Sequence, residues 1–237
     1  MQTRDVDLGH FAAPDAGTPP GIVLVHDVWG LGDHARDLAQ RLAGEGFGAL
    51  AVDLYRREGD VKIEDPGAWM RALSDPEVLA DVQAGIDFLA GEGPTAGRPV
   101  GVTGVCMGGM YALLAACSCR GLAAAVPFYG MLSYEHGLLH AERGVDPERK
   151  PRQPLDAIAD LRCPLLAFFG ADDAFIPSGD VEDLEQRLAA SAQPSDVVVY
   201  PGAGHAFLND TRPEAYRPEA ARDAWGRMVE FFRTHLR

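Results

Sequence analysis

The sequence has few of the features that are typical of secreted proteins, of proteins stabilised by a bound metal ion, or of membrane-spanning proteins. Its four cysteines among 237 residues are unevenly spaced, and no Cys-x-x-Cys pair indicates a zinc site. No run approaches the roughly 20 apolar residues that span a bilayer. No basic, apolar and small-residue leader pattern precedes the first alternating segment. We therefore expect a protein of the reducing cytoplasm that does not insert into membranes.

Basic residues are also scarce. The chain has 21 Lys and Arg against 35 Asp and Glu, a net charge of -14. Such a surface repels phosphate backbones and anionic lipid headgroups, so neither nucleic acid nor a membrane surface is an expected partner. A G-x-G-x-x-G run and a Walker lysine are both missing, which argues against a nucleotide site.

What is present is a series of short apolar runs that alternate with helical patterns. Strands are predicted at 22–26, 49–52, 99–103, 122–128, 165–169 and 196–200. Continuous apolar runs of this kind are typical of strands buried on both faces, and the alternation predicts an α/β fold with a mainly parallel sheet between helices. No repeat or linker divides the chain, so we expect one domain over 1–237, with an irregular insert at 131–156 near the active site.

The helix boundaries follow from capping residues, prolines and glycines. Asp33 is predicted to cap a first helix, which the glycines at 44 and 46 end. A polar stretch over 56–75 is predicted to be irregular, and a terminal helix is predicted over 213–235.

The sharpest motif is Gly104-x-Cys106-x-Gly108, between a predicted strand and a predicted helix. It matches the nucleophile-elbow pattern G-x-S-x-G with cysteine in place of serine. Small flanking residues permit the sharp turn, and the helix N-terminus favours a thiolate and an oxyanion. The competing interpretation is a buried structural cysteine among glycines that only turn the chain.

Two later loops contain the acid and the histidine that a cysteine nucleophile needs as partners. One follows the fifth strand and contains Asp172 and Asp173; the other follows the last strand and contains His205. The chain order of nucleophile, acid and histidine is that of α/β-hydrolases. His205 is the predicted base, and either aspartate could orient its ring. The competing interpretation of His205 is a loop residue that caps the terminal helix.

The loop after the first strand is predicted to lie beside the elbow. The backbone N–H groups of Val28 and Met107 are then the candidate oxyanion donors. From this loop Asp27 is predicted to reach the Cys106 sulfur, although an ordinary turn acid is an equal alternative. We interpret His26 as a packing residue.

The chain resembles the dienelactone hydrolases (carboxymethylenebutenolidases) from Ile22 to about Phe232. The matching pieces are the stretches 27–30, 53–55, 104–109, 173–177 and 204–207. The resemblance implies an α/β-hydrolase fold, no cofactor, and a monomer or small homo-oligomer. It also implies a Cys106, Asp173 and His205 triad, because the Asp-x-x-Ile-Pro spacing of that family selects Asp173. The implied reaction is hydrolysis of an ester or lactone through a thioacyl-enzyme.

The departures from the family concern substrate binding. Asp27 stands where the family has a glutamate that contacts the thiol, and Asn209 stands where it has an arginine for the substrate carboxylate. The segment that carries the second such arginine is shortened here, and Arg71 and Asn209 are both candidates for the pocket wall. With the net charge, these differences favour a neutral or differently held substrate. Further candidates for the pocket wall are three aromatic residues: Trp29, Tyr129 and Phe207.

The remaining motifs favour no second site. His136 and His140 have i, i+4 spacing but lack the glutamate of a zinc helix motif, so no metal is expected. Cys117 and Cys119 are interpreted as small buried residues. The alternative to an enzyme is a ligand-binding or sensor protein on the same fold that hydrolyses nothing.

Overall fold

The computed structural model describes residues 1–59 and 61–237. Within these residues eight strands form one sheet, in the order β1-β2-β4-β3-β5-β6-β7-β8. The strands are β1 (Gln2–Val6), β2 (Gly9–Ala13), β3 (Gly21–Val25), β4 (Gly48–Val52), β5 (Val100–Val105), β6 (Leu122–Phe128), β7 (Leu165–Gly170) and β8 (Ser195–Tyr200). The prediction of an α/β fold with a mainly parallel sheet is confirmed, since all pairs from β4 to β8 are parallel.

The antiparallel part of the sheet is a hairpin of β1 and β2, which the sequence analysis did not predict. β2 pairs with β4, and the outer strand β1 is mostly exposed. An exposed strand needs no apolar run, so its sequence carries little signal. Strand β2 is buried along its whole length, but its Gly-His-Phe-Ala-Ala sequence contains only a short apolar run. Strands β3, β4 and β5 are buried in the same way and follow the predicted apolar runs closely.

The helices pack on both faces of the sheet. They are α1 (Asp33–Gly44), α2 (Pro66–Ala72), α3 (Asp75–Gly91), α4 (Met107–Ser118), α5 (Pro154–Ala157), α6 (Ser178–Ala189) and α7 (Pro218–His235). Helices α3 and α4 contact each other, and α1 and α7 line a common cavity. None of the helices in the described part of the chain is long and apolar enough to cross a membrane.

Three predictions about the helices were wrong. Gly32 is the N-cap of α1, and Asp33 lies in the first turn, where its charge still favours the helix dipole. The stretch predicted to be irregular contains α2, whose N-cap Asp65 accepts a hydrogen bond from the Ala68 N–H. Helix α7 starts at Pro218 rather than at 213, because a proline fits the first turn of a helix but not its interior.

The insert at 131–156 is largely irregular, and a buried ion pair joins it to the rest of the fold. Lys150 lies 2.6 Å from Asp75 at the start of α3, with side chains 0% and 4% exposed. The hydroxyls of Tyr111 and Tyr134 donate to the same carboxylate, at 2.9 and 2.5 Å. The insert is thereby bonded to α3 and α4.

Strand register brings the candidate site residues to one edge of the sheet. Val25 is paired with Gly104, Val105 with Phe128, and Gly170 with Tyr200. The loops that follow β3, β5, β6, β7 and β8 therefore leave the sheet on the same side. Active sites in open parallel sheets lie at this carboxyl edge.

Candidate active site

Cys106 occupies a sharp turn between β5 and α4. Its φ of 57° and ψ of -120° lie outside the usual regions for a side chain other than glycine, and it is the N-cap of α4. A Cβ at Gly104 would lie 2.2 Å from the Gly108 carbonyl oxygen, and a Cβ at Gly108 would lie 2.0 Å from the Val25 carbonyl oxygen. Both positions therefore require glycine. The turn leaves the half-buried sulfur at the positive end of a helix.

His205 and Asp173 form a hydrogen-bonded pair beside this turn. Nδ1 of His205 lies 2.8 Å from Oδ2 of Asp173, and the two side chains are 14% and 0% exposed. The second oxygen of Asp173 accepts the Phe175 backbone N–H at 2.9 Å. Asp172, the alternative acid, is exposed, and its backbone N–H donates to the Ala203 carbonyl. Of the two aspartates, Asp173 is thus the one that contacts the imidazole.

The charges around His205 favour its protonated form. Burial lowers the pKa of His205, but the negative charge of a Cys106 thiolate and hydrogen bonds with Asp173 and Cys106 outweigh burial and raise it to about 10. The three side chains are therefore coupled, with the ring between the sulfur and the carboxylate. This arrangement can hold a proton on the imidazole.

Backbone strain is concentrated at the same place. Among the described residues, the non-glycine positions with positive φ are Cys106, Tyr129 and Ala206. Tyr129 follows β6, and its ring meets the His205 ring edge-on at a centroid distance of 5.1 Å. Ala206 is the residue after His205. Strain of this kind persists only where the surrounding packing enforces it, and it is typical of functional sites.

Aromatic rings flank the imidazole on two sides. Phe175 meets His205 edge-on at 5.1 Å and is 42% exposed. Phe207, predicted to line the pocket, is fully buried behind Tyr129 at a ring distance of 5.3 Å. Phe175 had no signal in the sequence beyond its place in the acid loop.

The loop after β3 is held by hydrogen bonds from several groups. The hydroxyl of Tyr55 donates to the Val28 carbonyl at 2.9 Å and lies 3.5 Å from the Met107 sulfur. Oδ1 of Asp27 accepts the Trp29 backbone N–H at 2.9 Å. The predicted contact of Asp27 with the Cys106 thiol stays a prediction. Tyr55 was missed as a site residue because its role depends on a contact 27 residues away.

A cavity of about 190 Å³ adjoins this loop, and its lining includes Arg212, a residue that the sequence did not single out. Asn209 lies in its wall, and the Asn209 carbonyl oxygen accepts the Arg212 N–H in a turn. The guanidinium of Arg212 lies 5.6 Å from the centre of the half-exposed Trp29 ring. Arg71 instead donates to the Leu138 carbonyl in the insert at 2.8 Å. Arg212 therefore lies at the rim of this cavity beside Trp29.

Two cysteines and two histidines that the sequence singled out lie outside this site: Cys117, Cys119, His136 and His140. Burial raises the pKa of Cys117 to about 12 and that of Cys119 to about 11. His136 and His140 flank a single 3-10 turn, so they do not share a helix face. Within residues 1–59 and 61–237, no group of three or more His, Cys, Asp or Glu residues is arranged to hold a metal ion.

Comparison with known proteins gives a consistent result. Residues 8–236 match the model of the dienelactone hydrolase family. A protein of Escherichia coli K12 named "Putative carboxymethylenebutenolidase" is 36% identical over 224 residues, covering 92% of this chain and 78% of that protein. A Bradyrhizobium protein named "Probable 2-oxo-3-(5-oxofuran-2-ylidene)propanoate lactonase" is 32% identical over 233 residues, covering 97% and 90%.

Solved structures agree with the sequence relatives. A Klebsiella pneumoniae crystal structure described as a "Putative Dienelactone Hydrolase" has a TM-score of 0.83 and 35% identity, covering 94% of this chain and 91% of that one. The dienelactone hydrolase of Anabaena variabilis has a TM-score of 0.69 at 19% identity, over 100% and 99% of the two chains, which shows likeness of fold alone.

Proposed function

Because the chain belongs to the dienelactone hydrolase family, we propose that it hydrolyses a small ester or lactone with Cys106 as the nucleophile. Membership of the family supports ester or lactone hydrolysis. The observation that supports the cysteine mechanism is the strained turn at Cys106 beside a His205 ring that Asp173 holds through Nδ1. No cofactor is needed for this reaction, since the site has its own nucleophile, base and helix N-terminus.

In the first half of the reaction, the Cys106 sulfur donates an electron pair to the substrate carbonyl carbon. The carbonyl oxygen becomes an oxyanion, to which the backbone N–H groups of Met107 and Val28 donate hydrogen bonds. The intermediate then breaks its bond to the alcohol oxygen, and His205 donates a proton to that oxygen. A thioester at Cys106 remains. From a lactone, the alcohol stays attached to the acyl chain.

In the second half, His205 accepts a proton from a water molecule as its oxygen attacks the thioester carbon. A second oxyanion forms at the same two N–H groups. Its collapse breaks the carbon–sulfur bond, so that the acid leaves and Cys106 is again a thiolate beside a protonated His205. The sum is one ester and one water converted to one acid and one alcohol. Asp173 keeps the ring oriented throughout.

The direct test replaces Cys106 and measures turnover of a 4-nitrophenyl ester and a small lactone. We expect Cys106→Ala to abolish turnover of both, because no nucleophile remains. The matched control is Cys117→Ala, which removes a buried thiol from the same helix α4 and should retain activity. Full activity in Cys106→Ala would overturn the proposal. Ligand binding to a wild-type protein that releases no product would favour the sensor alternative.

A further inference from the structure

Both ring nitrogens of His26 are engaged next to the proposed oxyanion site. His26 is 1% exposed and directly follows β3. Nδ1 lies 2.5 Å from the Asp27 carbonyl oxygen, and Nε2 lies 3.2 Å from the Leu54 backbone nitrogen. A carbonyl only accepts and a backbone N–H only donates, so the proton must be on Nδ1. His26 is therefore a neutral ring with one defined tautomer.

The carbonyl that His26 contacts belongs to the peptide unit of the proposed oxyanion donor. The Asp27 C=O and the Val28 N–H are the two ends of one planar peptide. The described backbone contains no cis peptide bonds, so these two groups point in opposite directions. A donor that holds the carbonyl on one side consequently aims the Val28 N–H to the other. Acceptance of a hydrogen bond at the carbonyl also polarises the N–H.

Backbone packing brings this part of the chain against the turn that carries Cys106. The elbow lies directly against this part of the chain, because a Cβ at Gly108 would lie 2.5 Å from the His26 carbonyl oxygen. The next peptide is held separately, since the Tyr55 hydroxyl bonds the Val28 carbonyl and the Asp27 carboxylate bonds the Trp29 N–H. Gly30 N–H also donates to the Asp27 carbonyl, but at 3.3 Å. His26 is thus the shorter of the two contacts on the Asp27–Val28 peptide.

We propose that His26 is a positioning residue that sets the oxyanion hole by bonding the Asp27 carbonyl through Nδ1–H. This inference deepens the proposed function and rests on it. The sequence alone favoured a packing role for His26. In this proposal His26 helps to stabilise the oxyanion without contacting the substrate.

Two substitutions separate this role from packing. In His26→Asn the side-chain amide reaches the place of Nδ1 and can still donate to the Asp27 carbonyl. In His26→Gln the amide reaches the place of Nε2, where its oxygen can accept the Leu54 N–H but no donor meets the carbonyl. Each variant keeps one of the two hydrogen bonds of His26. A purely structural role would make both variants similar.

We expect His26→Gln to lower kcat on a neutral aryl ester by about 10- to 100-fold, somewhat less than the loss of a whole oxyanion donor. KM should stay within about threefold, because the interaction strengthens only as charge develops on the oxygen. His26→Asn should retain most of kcat. The inhibition constant of an aryl trifluoromethyl ketone, whose oxygen becomes an oxyanion when the thiolate adds, should rise in His26→Gln in proportion to the fall in kcat/KM.

Equal kcat losses in the two variants, with unchanged trifluoromethyl ketone affinity, would overturn the inference. A measurement on the wild-type protein covers the case in which a variant fails to fold. On formation of the ketone adduct, the Nδ1 proton of His26 and the amide proton of Val28 should both shift downfield in the NMR spectrum. A shift of Val28 without a shift of His26 would contradict the coupling.

The same experiments distinguish a failure of this inference from a failure of the proposed function. If wild-type protein neither cleaves the ester nor forms the ketone adduct, the proposed function has failed. If it does both and the two variants behave alike, only the role of His26 has failed.

Discussion

The molecule contains two buried pairs of an aspartate and a nitrogen base, and their surroundings differ. Asp173 pairs with His205 at the carboxyl edge of the sheet, and Asp75 pairs with Lys150 under the insert. In the second pair both carboxylate oxygens of Asp75 accept hydrogen bonds from tyrosine hydroxyls. Lys150 also donates a hydrogen bond to the Tyr111 hydroxyl at 3.1 Å. In the first pair Asp173 occupies only one ring nitrogen.

The open nitrogen is what separates a reactive pair from a structural one. Burial lowers the pKa of Lys150, while Asp75 favours its charged form, and the sealed pair has nothing to which it can pass a proton. His205 is 14% exposed and faces the Cys106 sulfur with its remaining nitrogen. The first pair should therefore affect rate, and the second should affect stability.

The largest expected effect is loss of activity in His205→Asn. The asparagine amide can still donate to Asp173 from the place of Nδ1, whereas the nitrogen that faces the sulfur is gone. We expect kcat/KM to fall by about 10⁴-fold, with a free energy of unfolding within about 1 kcal/mol of wild type. Ester kinetics and urea unfolding check the two parts. A large loss of unfolding free energy with only a modest fall in kcat/KM would contradict the view that this pair affects rate rather than stability.

The opposite behaviour is expected of Lys150→Met. This change leaves the Asp75 carboxylate buried without its cation, which costs about 3–5 kcal/mol of unfolding free energy. Addition of Asp75→Asn should recover part of the loss, because the uncompensated charge is then removed. The exposed Arg187–Asp183 pair is the control, and Arg187→Gln should cost no more than about 1 kcal/mol. Urea unfolding that ranks Arg187→Gln with Lys150→Met would contradict this view.

The pH dependence of kcat/KM sharpens the contrast further. The pKa of His205 is raised to about 10, so the protonated ring persists at neutral pH and activity should fall as pH rises through about 10. Asp173→Asn removes a negative charge that favours the protonated form, so the alkaline limb should move to lower pH by about 1–3 units. Asp172→Asn is the control and should leave the limb in place. If the alkaline limb of the kcat/KM profile lies at the same pH in Asp173→Asn as in wild type, Asp173 does not favour the protonated form of His205.

The smallest expected effect concerns the substrate. Arg212 carries a positive charge at the rim of the cavity beside Trp29. If the substrate has a carboxylate, Arg212→Gln should lower kcat/KM for a carboxylate-bearing ester by up to about tenfold and leave a matched neutral ester unchanged. Arg71→Gln is the comparison, because that guanidinium bonds the insert. Equal effects on both esters would favour the neutral substrate that the net charge suggests.

The sequence predicted the parts of the molecule that rest on local signals. Buried strands require apolar runs, and strand ends at one edge of a parallel sheet bring loops together. For that reason Cys106, His205 and the two candidate acids Asp172 and Asp173 could be singled out from the sequence, and the resemblance to the family then selected Asp173. The exposed strand β1 and the short helix α2 carry weaker patterns and were missed.

Long-range polar contacts were beyond the reach of sequence patterns. Lys150 meets Asp75 across 75 residues of chain, and nothing in the insert indicates which acid it pairs with. His26 likewise resembles a packing histidine until its two hydrogen bonds are located. Arg212 and Asn209 line the same cavity, and a backbone hydrogen bond in a turn joins them.

The most direct test of the account is the covalent state of the enzyme during turnover. Wild-type protein mixed with a 4-nitrophenyl ester, quenched in acid within the first turnover and digested, should carry one acyl group on the peptide that contains Cys106. Asp173→Asn should carry it at a lower level, and Cys106→Ala should carry none. An acyl group on another residue, or turnover with no acylated peptide at any time, would contradict the cysteine mechanism.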